Sequence, residues 1–213
     1  MDISGDTRIG DIVAEIEKAV RGRREEDLLH AEWAESAPGT LADHIREVHH
    51  EYLRTQLPRV AQELVTTLLS WGDEHDELYA IGREFQHLRQ GLERHLDEEE
   101  RDVFPLLRRL NTASTLTDSA GAVSPGPGHD MPGEESPAAL LGRLEQEHGD
   151  TLESLRVLRR LASDYRVAEG SCLECAGLYR ELGALEADIE RHIHLEDDVL
   201  MPAMRRLTGV WYD

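Results

Sequence analysis

Two histidine–glutamate pairs with identical spacing stand out in this sequence, because imidazole and carboxylate groups together can bind transition metals. Glu99 follows His95 by four residues, and Glu196 follows His192 by four residues. The pairs lie 97 residues apart, and at the same offset a proline follows each histidine by ten residues and an Arg-Arg-Leu run comes shortly after it. Agreement at this many positions indicates that the two segments are copies of one unit.

Each unit also contains an isolated histidine upstream of its pair. His50 precedes His95 by 45 residues, and His148 precedes His192 by 44 residues. The duplicated pattern therefore supplies six candidate metal ligands. They are His50, His95, Glu99, His148, His192 and Glu196.

Helical spacing explains how these residues could share a site. Residues four apart on an α-helix lie about 40° apart around the axis and about 6 Å along it, so both side chains address one point. A carboxylate has two oxygens and can span two ions, so we expect Glu99 and Glu196 to bridge two metals that are capped by the histidines. Positions would remain for an oxo or hydroxo bridge and for a small ligand. This ligand set suits iron, with manganese or zinc as alternatives.

Other interpretations of these residues remain open. A single core histidine is usually only hydrogen-bonded, and a single His-x-x-x-Glu pair is usually a solvated helix pair. Glu47-x-x-His50 and Glu145-x-x-His148 also match the ferritin-like di-iron pattern, which combines two glutamates with two Glu-x-x-His pairs. That pattern would leave the histidines of the two repeated pairs without a role, so we prefer the histidine-rich site.

Four long helices are predicted to position the candidate ligands. Apolar residues recur at helical spacing over about residues 41–70, 74–110, 138–163 and 172–207. Residues 111–137 between the second and third helices are rich in Gly, Pro, Ser and Thr, which predicts a flexible linker. The pattern predicts an all-α, up-down four-helix bundle over residues 40–210. Residues 1–39 are predicted to be an N-terminal helical appendage.

Composition limits the classes of function. The chain has 213 residues, of which 39% are hydrophobic and 5% aromatic, and its formal charge is −21. Such an acidic surface repels phosphate backbones and anionic membranes and attracts cations, so we expect no nucleic-acid or membrane partner. The N-terminus lacks the features of a signal peptide, and no run of about 18 apolar residues occurs, so a cytoplasmic protein is expected.

The two cysteines form one C-x-x-C spacing at the predicted start of the fourth helix. Cys172 and Cys175 do not make up a disulfide framework. We expect ordinary reduced thiols, with a redox or metal role as the alternative because a helix N-terminus makes thiols more reactive.

At the histidine motifs the sequence resembles hemerythrin-like di-iron proteins, in particular the repair-of-iron-centres group. The resemblance covers about residues 40–207. Its four motifs are residues 49–58, 95–105, 145–148 and 192–202. Carried over position by position, the resemblance implies that the six candidate residues bind iron. In the first motif the second histidine matches, which makes His50 rather than His49 the ligand.

The resemblance implies a hemerythrin-like bundle that repairs or protects iron–sulfur clusters under nitrosative or oxidative stress. It would do so by donating iron or by reacting with nitric oxide or oxygen at two iron ions, and its partners would be damaged iron–sulfur proteins and those small molecules. Full-length members of the group carry an N-terminal domain with a paired-cysteine motif. Here residues 7–14 resemble only the beginning of that domain, and no cysteine precedes Cys172.

Three rival functions use the same sequence features. The site could bind or sense oxygen or nitric oxide reversibly without giving up iron. A ferritin-like iron oxidase would depend on Glu47 and Glu145 more than on the repeated histidines. A bundle without metal would serve protein association alone.

Overall fold

The computed structural model describes Trp33 and residues 36–120, 136–166 and 172–209, with side chains excepted over residues 113–120. These residues form helices and the turns between them, which confirms the predicted all-α bundle. The predicted N-terminal appendage, apart from its last few residues, lies outside the described residues. Among the residues described, no helix is both long and apolar enough to cross a membrane.

Four long helices make up the bundle, which begins at Pro38. Helix α1 spans residues 38–71, α2 spans 77–120, α3 is Pro137–Leu161, and α4 spans 173–208. A short 3-10 helix, Ser163–Tyr165, follows α3. Contacts between successive helices, and between α4 and α1, close a ring of α1, α2, α3 and α4 in chain order, and the last segments of α2 and α4 also contact each other.

Three of the long helices change from α to π geometry for about one turn. The α segments of these helices are Pro38–His44, Glu51–Trp71, Glu77–Glu98, Phe104–Ala120, Leu173–Leu195 and Met201–Thr208. The π segments are Ile45–His50 in α1, Glu99–Val103 in α2 and Glu196–Leu200 in α4. A π turn holds an extra residue and therefore rotates the side chains that follow it, and such turns are frequent at functional sites.

The π segments explain part of the duplicated motif. Each contains one candidate ligand at its end, since the segment in α1 finishes at His50 and the others begin at Glu99 and Glu196. Pro105 and Pro202 are the second residues of the α segments that resume afterwards. Proline lacks a backbone N–H and is accepted in the first turn of a helix, so it fits this position without losing a hydrogen bond.

Leucine-rich faces hold the four helices together. Buried residues of this core come from every helix and include Leu53 and Leu57 of α1, Leu88 of α2, Leu155 of α3 and Leu182 of α4. Their recurrence every three or four residues places one apolar stripe of each helix against its neighbours. The core fixes the rotation of each helix and thereby the direction of its polar side chains.

The second helix extends further than predicted. The sequence predicts that it ends at residue 110, but the segment Phe104–Ala120 continues for ten more residues into the predicted linker. No glycine or proline occurs from residue 106 to residue 120, so nothing in that Thr- and Ser-rich stretch breaks the helix before Gly121. Residues 121–135 lie outside the described residues, and α3 then begins at Pro137, where the Ser136 hydroxyl accepts a hydrogen bond from the Ala139 N–H at 3.2 Å.

Candidate metal centre

The six side chains singled out in the sequence meet in one buried place inside the bundle. Helices α1 and α3 each contribute a histidine, and α2 and α4 each contribute a histidine and a glutamate. Every one of the six is at most 3% exposed. They are His50, His95, Glu99, His148, His192 and Glu196.

The six residues fall into two overlapping groups of four. His50 and His192 form one group with both glutamates, and His95 and His148 form the other with the same two glutamates. Within each group the potential ligand atoms all lie within 4.8 Å of one another. Two adjacent positions for cations, with Glu99 and Glu196 common to both, are therefore built from side chains alone.

Glu99 faces histidines of both groups. Its Oε2 atom lies 3.4 Å from Nε2 of His50 and 3.8 Å from Nε2 of His192. The same oxygen lies 3.5 Å from Nε2 of His95, which belongs to the other group. This is the placement expected of a carboxylate shared by two ions.

Glu196 occupies the matching position in the second half of the chain. Its Oε1 atom lies 2.9 Å from Nε2 of His192, and its Oε2 atom lies 3.1 Å from Nε2 of His148. Nε2 of His95 lies 3.9 Å from the same Oε2 atom. The two oxygens of one carboxylate thus lie close to histidines on different sides of the centre.

Some buried nitrogen and oxygen atoms of the centre lack hydrogen-bond partners among the described residues, as expected of atoms that bind a cation. His50 Nε2, Glu99 Oε2 and Glu196 Oε2 are buried and have no hydrogen-bond partner among the described residues. A carboxylate taken out of water is costly unless it is paired with positive charge. These nitrogen and oxygen atoms have unused lone pairs that point at one another. A bound transition-metal ion would satisfy them.

Three of the four histidines are oriented by a carboxylate on the opposite ring nitrogen. In each case a carboxylate from a neighbouring helix lies against Nδ1, which leaves Nε2 directed at the centre. The pairs are His50 with Glu100 at 2.9 Å, His95 with Glu147 at 2.8 Å, and His148 with Asp197 at 2.7 Å. Such partners fix the tautomer and raise the basicity of a metal-binding imidazole.

These three carboxylates are not among the candidate residues predicted from the sequence. Glu100 directly follows Glu99, and Asp197 directly follows Glu196, so the two lie at the same offset of 97 residues as the rest of the repeat. This agreement with the repeat is the sequence signal that could have identified Glu100 and Asp197. Arg54 also donates to Glu100 at 3.1 Å, which holds the carboxylate of Glu100 between an imidazole and a guanidinium.

The fourth histidine lacks such a partner, which makes the centre asymmetric. His192 Nδ1 is buried without a hydrogen-bond partner in the described part of the chain. Glu147, the partner of His95, directly precedes His148, whereas the residue directly before His50 is His49. The His49 ring stacks on the His192 ring with centroids 5.9 Å apart, and its Nδ1 lies 3.0 Å from Asp188 Oδ1. An imidazole therefore stands where the repeat would place a carboxylate.

The ferritin-like alternative does not agree with the geometry. Glu47 and Glu145, which it requires as ligands, are both exposed. Glu47 accepts a hydrogen bond from Arg46 at 3.0 Å, and Glu145 pairs with Arg205. The histidines that this alternative leaves unused, His95 and His192, are instead at the centre.

Charge at the centre shifts the protonation of several groups when no metal is bound. Burial by itself would lower the pKa of His148, but the hydrogen bond with Asp197 and the negative charge of Glu196 outweigh it and raise that pKa to about 9. Burial also opposes charge on His95, whose pKa is nevertheless raised well above its usual value, first by Glu99 and then by Glu147. The pKa of Glu196 is held well below its usual value despite burial, because the surrounding histidines stabilise the anion.

A cavity of about 100 Å³ opens between α2 and α3 beside the centre. His95 and Glu147 line it together with His87, Arg94 and Asp150. The volume suits a water molecule or a diatomic molecule. Of the six candidate ligands, the cavity therefore reaches His95.

Comparisons with known proteins agree with the site. The Hemerythrin HHE cation binding domain matches residues 130–208, which include α3 and α4. The iron-sulfur cluster repair protein YtfE of Enterobacter sp. (strain 638) is 24% identical over 184 residues, covering 86% of this chain and 73% of that protein. The iron-sulfur cluster repair protein ScdA of Staphylococcus epidermidis is 24% identical over 161 residues, covering 76% of this chain and 64% of the relative.

A third relative shows the same extent of similarity. YtfE of Edwardsiella ictaluri, also an iron-sulfur cluster repair protein, is 27% identical over 177 residues, or 81% of this chain and 68% of its own length. The chain thus spans 64% to 73% of the length of these three relatives. The resemblance drawn from the four sequence motifs is confirmed.

Substitution of one bridging glutamate should distinguish the two ligand patterns. We expect Glu99→Ala to reduce the metal bound per chain by at least half, because Glu99 is common to both groups of ligands. Glu47→Ala should leave the metal content unchanged, because Glu47 is exposed. Elemental analysis of the purified variants measures both; the reverse result would favour the ferritin-like site.

Metal binding should depend on pH through His148. Its pKa is about 9 in the folded protein against an ordinary value of 6.5, so its protonated form stabilises the metal-free fold fully below pH 6.5, and this contribution is lost as the pH rises through 9. The proton competes with metal, so affinity for Fe²⁺ should rise over the same window while the melting temperature of the metal-free protein falls.

Asp197→Asn tests the cause of this pH dependence. Removal of the carboxylate on Nδ1 should flatten both pH profiles between 6.5 and 9. The matched control is Asp198→Asn, since Asp198 is exposed and pairs with His194 instead. Equal flattening in both variants would contradict the assignment to His148.

Proposed function

We propose that this chain, a hemerythrin-like protein of the iron–sulfur cluster repair group, holds two iron ions and uses them in the repair of damaged iron–sulfur clusters. The observation that carries the proposal is the convergence of four histidines and two glutamates on one buried centre. The similarity to three iron–sulfur cluster repair proteins supports cluster repair as the activity. The reaction partners would be damaged iron–sulfur proteins, with oxygen and nitric oxide as small ligands.

The ligand groups assign a role to each side chain. His50 and His192 would hold one ion, His95 and His148 would hold the other, and the two glutamates would be shared. Iron held by these residues would supply ferrous–ferric redox chemistry and the binding of diatomic molecules. Four imidazoles and two carboxylates suit iron better than they suit the softer, thiolate-preferring ions.

The chain itself contributes orientation and exclusion of water. The Phe104 ring lies 5.5 Å from the His50 ring and is fully buried. Val103 and Leu200, one in each half of the repeat, are also buried beside the glutamate-bearing turns. This apolar surround limits access by water to the centre.

The asymmetry of the centre suits a protein that gives iron away. The imidazoles of His95 and His148 each have a carboxylate on Nδ1, whereas His192 has no such partner among the described residues. Because that partner increases the donor strength of an imidazole, the ion held by His50 and His192 would be the weaker bound of the two. One ion could then leave while the other maintains the fold of the centre.

A second function, reversible binding or sensing of nitric oxide or oxygen, is favoured by the cavity beside His95. The two functions share the same residues and differ in the fate of the metal. A sensor would keep its iron and form a stable adduct. A repair protein would lose iron to an acceptor.

Transfer of iron to a damaged client separates these functions. Chain loaded with isotopically labelled iron would be mixed with a protein whose iron–sulfur cluster has been destroyed by nitric oxide, with a chelator present to remove free iron. We expect label in the rebuilt cluster and recovery of cluster-dependent activity, and we expect neither from Glu99→Ala. Retention of all the iron together with a persistent nitric oxide adduct would instead identify a sensor.

Release of iron to a chelator should be biphasic, with one ion per chain leaving faster. Glu147→Gln should accelerate the slower phase about tenfold, since loss of such a partner typically weakens metal binding by that factor or more. Glu153→Gln is the matched control, because Glu153 is an exposed residue of the same helix. A single phase, or equal rates for both variants, would contradict the asymmetry.

A further inference from the structure

A second group of metal-binding side chains lies away from the centre. His75 belongs to the turn between α1 and α2, and Cys172 and Cys175 lie at the start of α4. Their potential ligand atoms are all within 4.8 Å of one another. We refer to these three residues as the cysteine cluster. Cys175 precedes His192 by 17 residues, or about 25 Å of helix, so the cluster is separate from the centre.

The cysteines are bonded to each other in the structure, contrary to the expected reduced thiols. Cys172 is the N-cap of α4 and Cys175 lies in the first turn, which brings their Cα atoms within 5.2 Å. Both are nearly buried, at 7% and 3% exposure. The C-x-x-C spacing at a helix start therefore puts both sulfurs on one side, where they can bond to each other or share another partner.

The start of α4 favours negative charge on sulfur. The Cys175 backbone N–H donates to Cys172 Sγ at 2.9 Å. Other backbone N–H groups of a first helical turn lack partners within the helix and carry partial positive charge. A thiolate is the form of cysteine that binds metal, and this environment stabilises it.

His75 is held in place from three directions. Its backbone N–H donates to the Trp71 carbonyl at 2.9 Å, and its own carbonyl accepts from the Leu78 N–H at 3.0 Å. The Nδ1 atom of its ring lies 3.0 Å from Glu77 Oε1. A carboxylate on Nδ1 leaves Nε2 as the nitrogen that would bind metal, as it does for three histidines of the centre.

We propose that the cysteine cluster, when its cysteines are reduced, binds a thiophilic divalent cation such as Zn²⁺. Each of the two thiols would lose a proton and bind through sulfur, His75 would bind through Nε2, and water would complete a tetrahedral site. Two thiolates and one imidazole select zinc over the oxygen-preferring ions. In the disulfide form the sulfur lone pairs belong to neutral atoms, so only the reduced chain would hold the ion.

Cobalt(II) is the probe for this site, because thiolate ligands give it a sulfur-to-metal charge-transfer absorption that a histidine and glutamate site cannot produce. The full chain would first be loaded with iron, reduced with a dithiol, freed of reductant without oxygen, and titrated with cobalt. We expect the charge-transfer band to saturate at one cobalt per chain, to be displaced by zinc, and to be missing from the disulfide form and from the Cys172→Ser, Cys175→Ser double variant.

Three single variants complete the test without touching the buried cysteines. His75→Asn should weaken cobalt binding more than about tenfold, and Glu77→Gln by about tenfold, since Glu77 acts through His75. Glu74→Gln removes the same charge next to His75 but leaves the carboxylate on Nδ1 in place, so it should change nothing. Absence of the band in the reduced chain, or unchanged affinity in His75→Asn, would overturn the proposal. Because the centre contains no sulfur, neither result depends on whether it holds iron.

Discussion

The burial of two carboxylates among four imidazoles is the constraint on which the rest of this structure depends. Glu99 and Glu196 are each 1% exposed, and anions in such surroundings are tolerated only beside positive charge. In the metal-free protein protonated histidines provide that charge, as the raised pKa values of His95 and His148 indicate. A bound cation would take over the same role, so metal binding and proton release are coupled.

The helices are arranged to bring this charge together from distant parts of the chain. Repeated leucines fix how each helix is rotated, and the π segments then adjust the side chains at the centre itself. Two of those segments start at the shared glutamates, and proline follows each where ordinary α geometry resumes. The residues of the repeat thus comprise ligands, a π turn that orients them, and a proline that fits the first turn of the α segment that follows.

Sequence alone was sufficient for the fold class and for the convergence of the six central residues, because helical periodicity is a local signal and the duplicated motif can be recognised by comparing the two halves of the sequence. Contacts across helices were not foreseeable in the same way. Glu100 meets His50 and Glu147 meets His95 through the way neighbouring helices pack against one another. His75 likewise gave no signal, since its neighbours Cys172 and Cys175 come from the far end of the chain.

Replacement of a carboxylate by His49 next to His192 has an electronic consequence. Imidazoles with anionic partners push electron density toward the metal, and an imidazole without one pushes less. The two halves of the centre, though descended from one repeated unit, would therefore present an electron-rich and an electron-poor position. An electron added to this centre would preferentially reduce one of the two metal positions. This electronic difference would arise from a single residue, His49, at which the two halves of the repeat do not match.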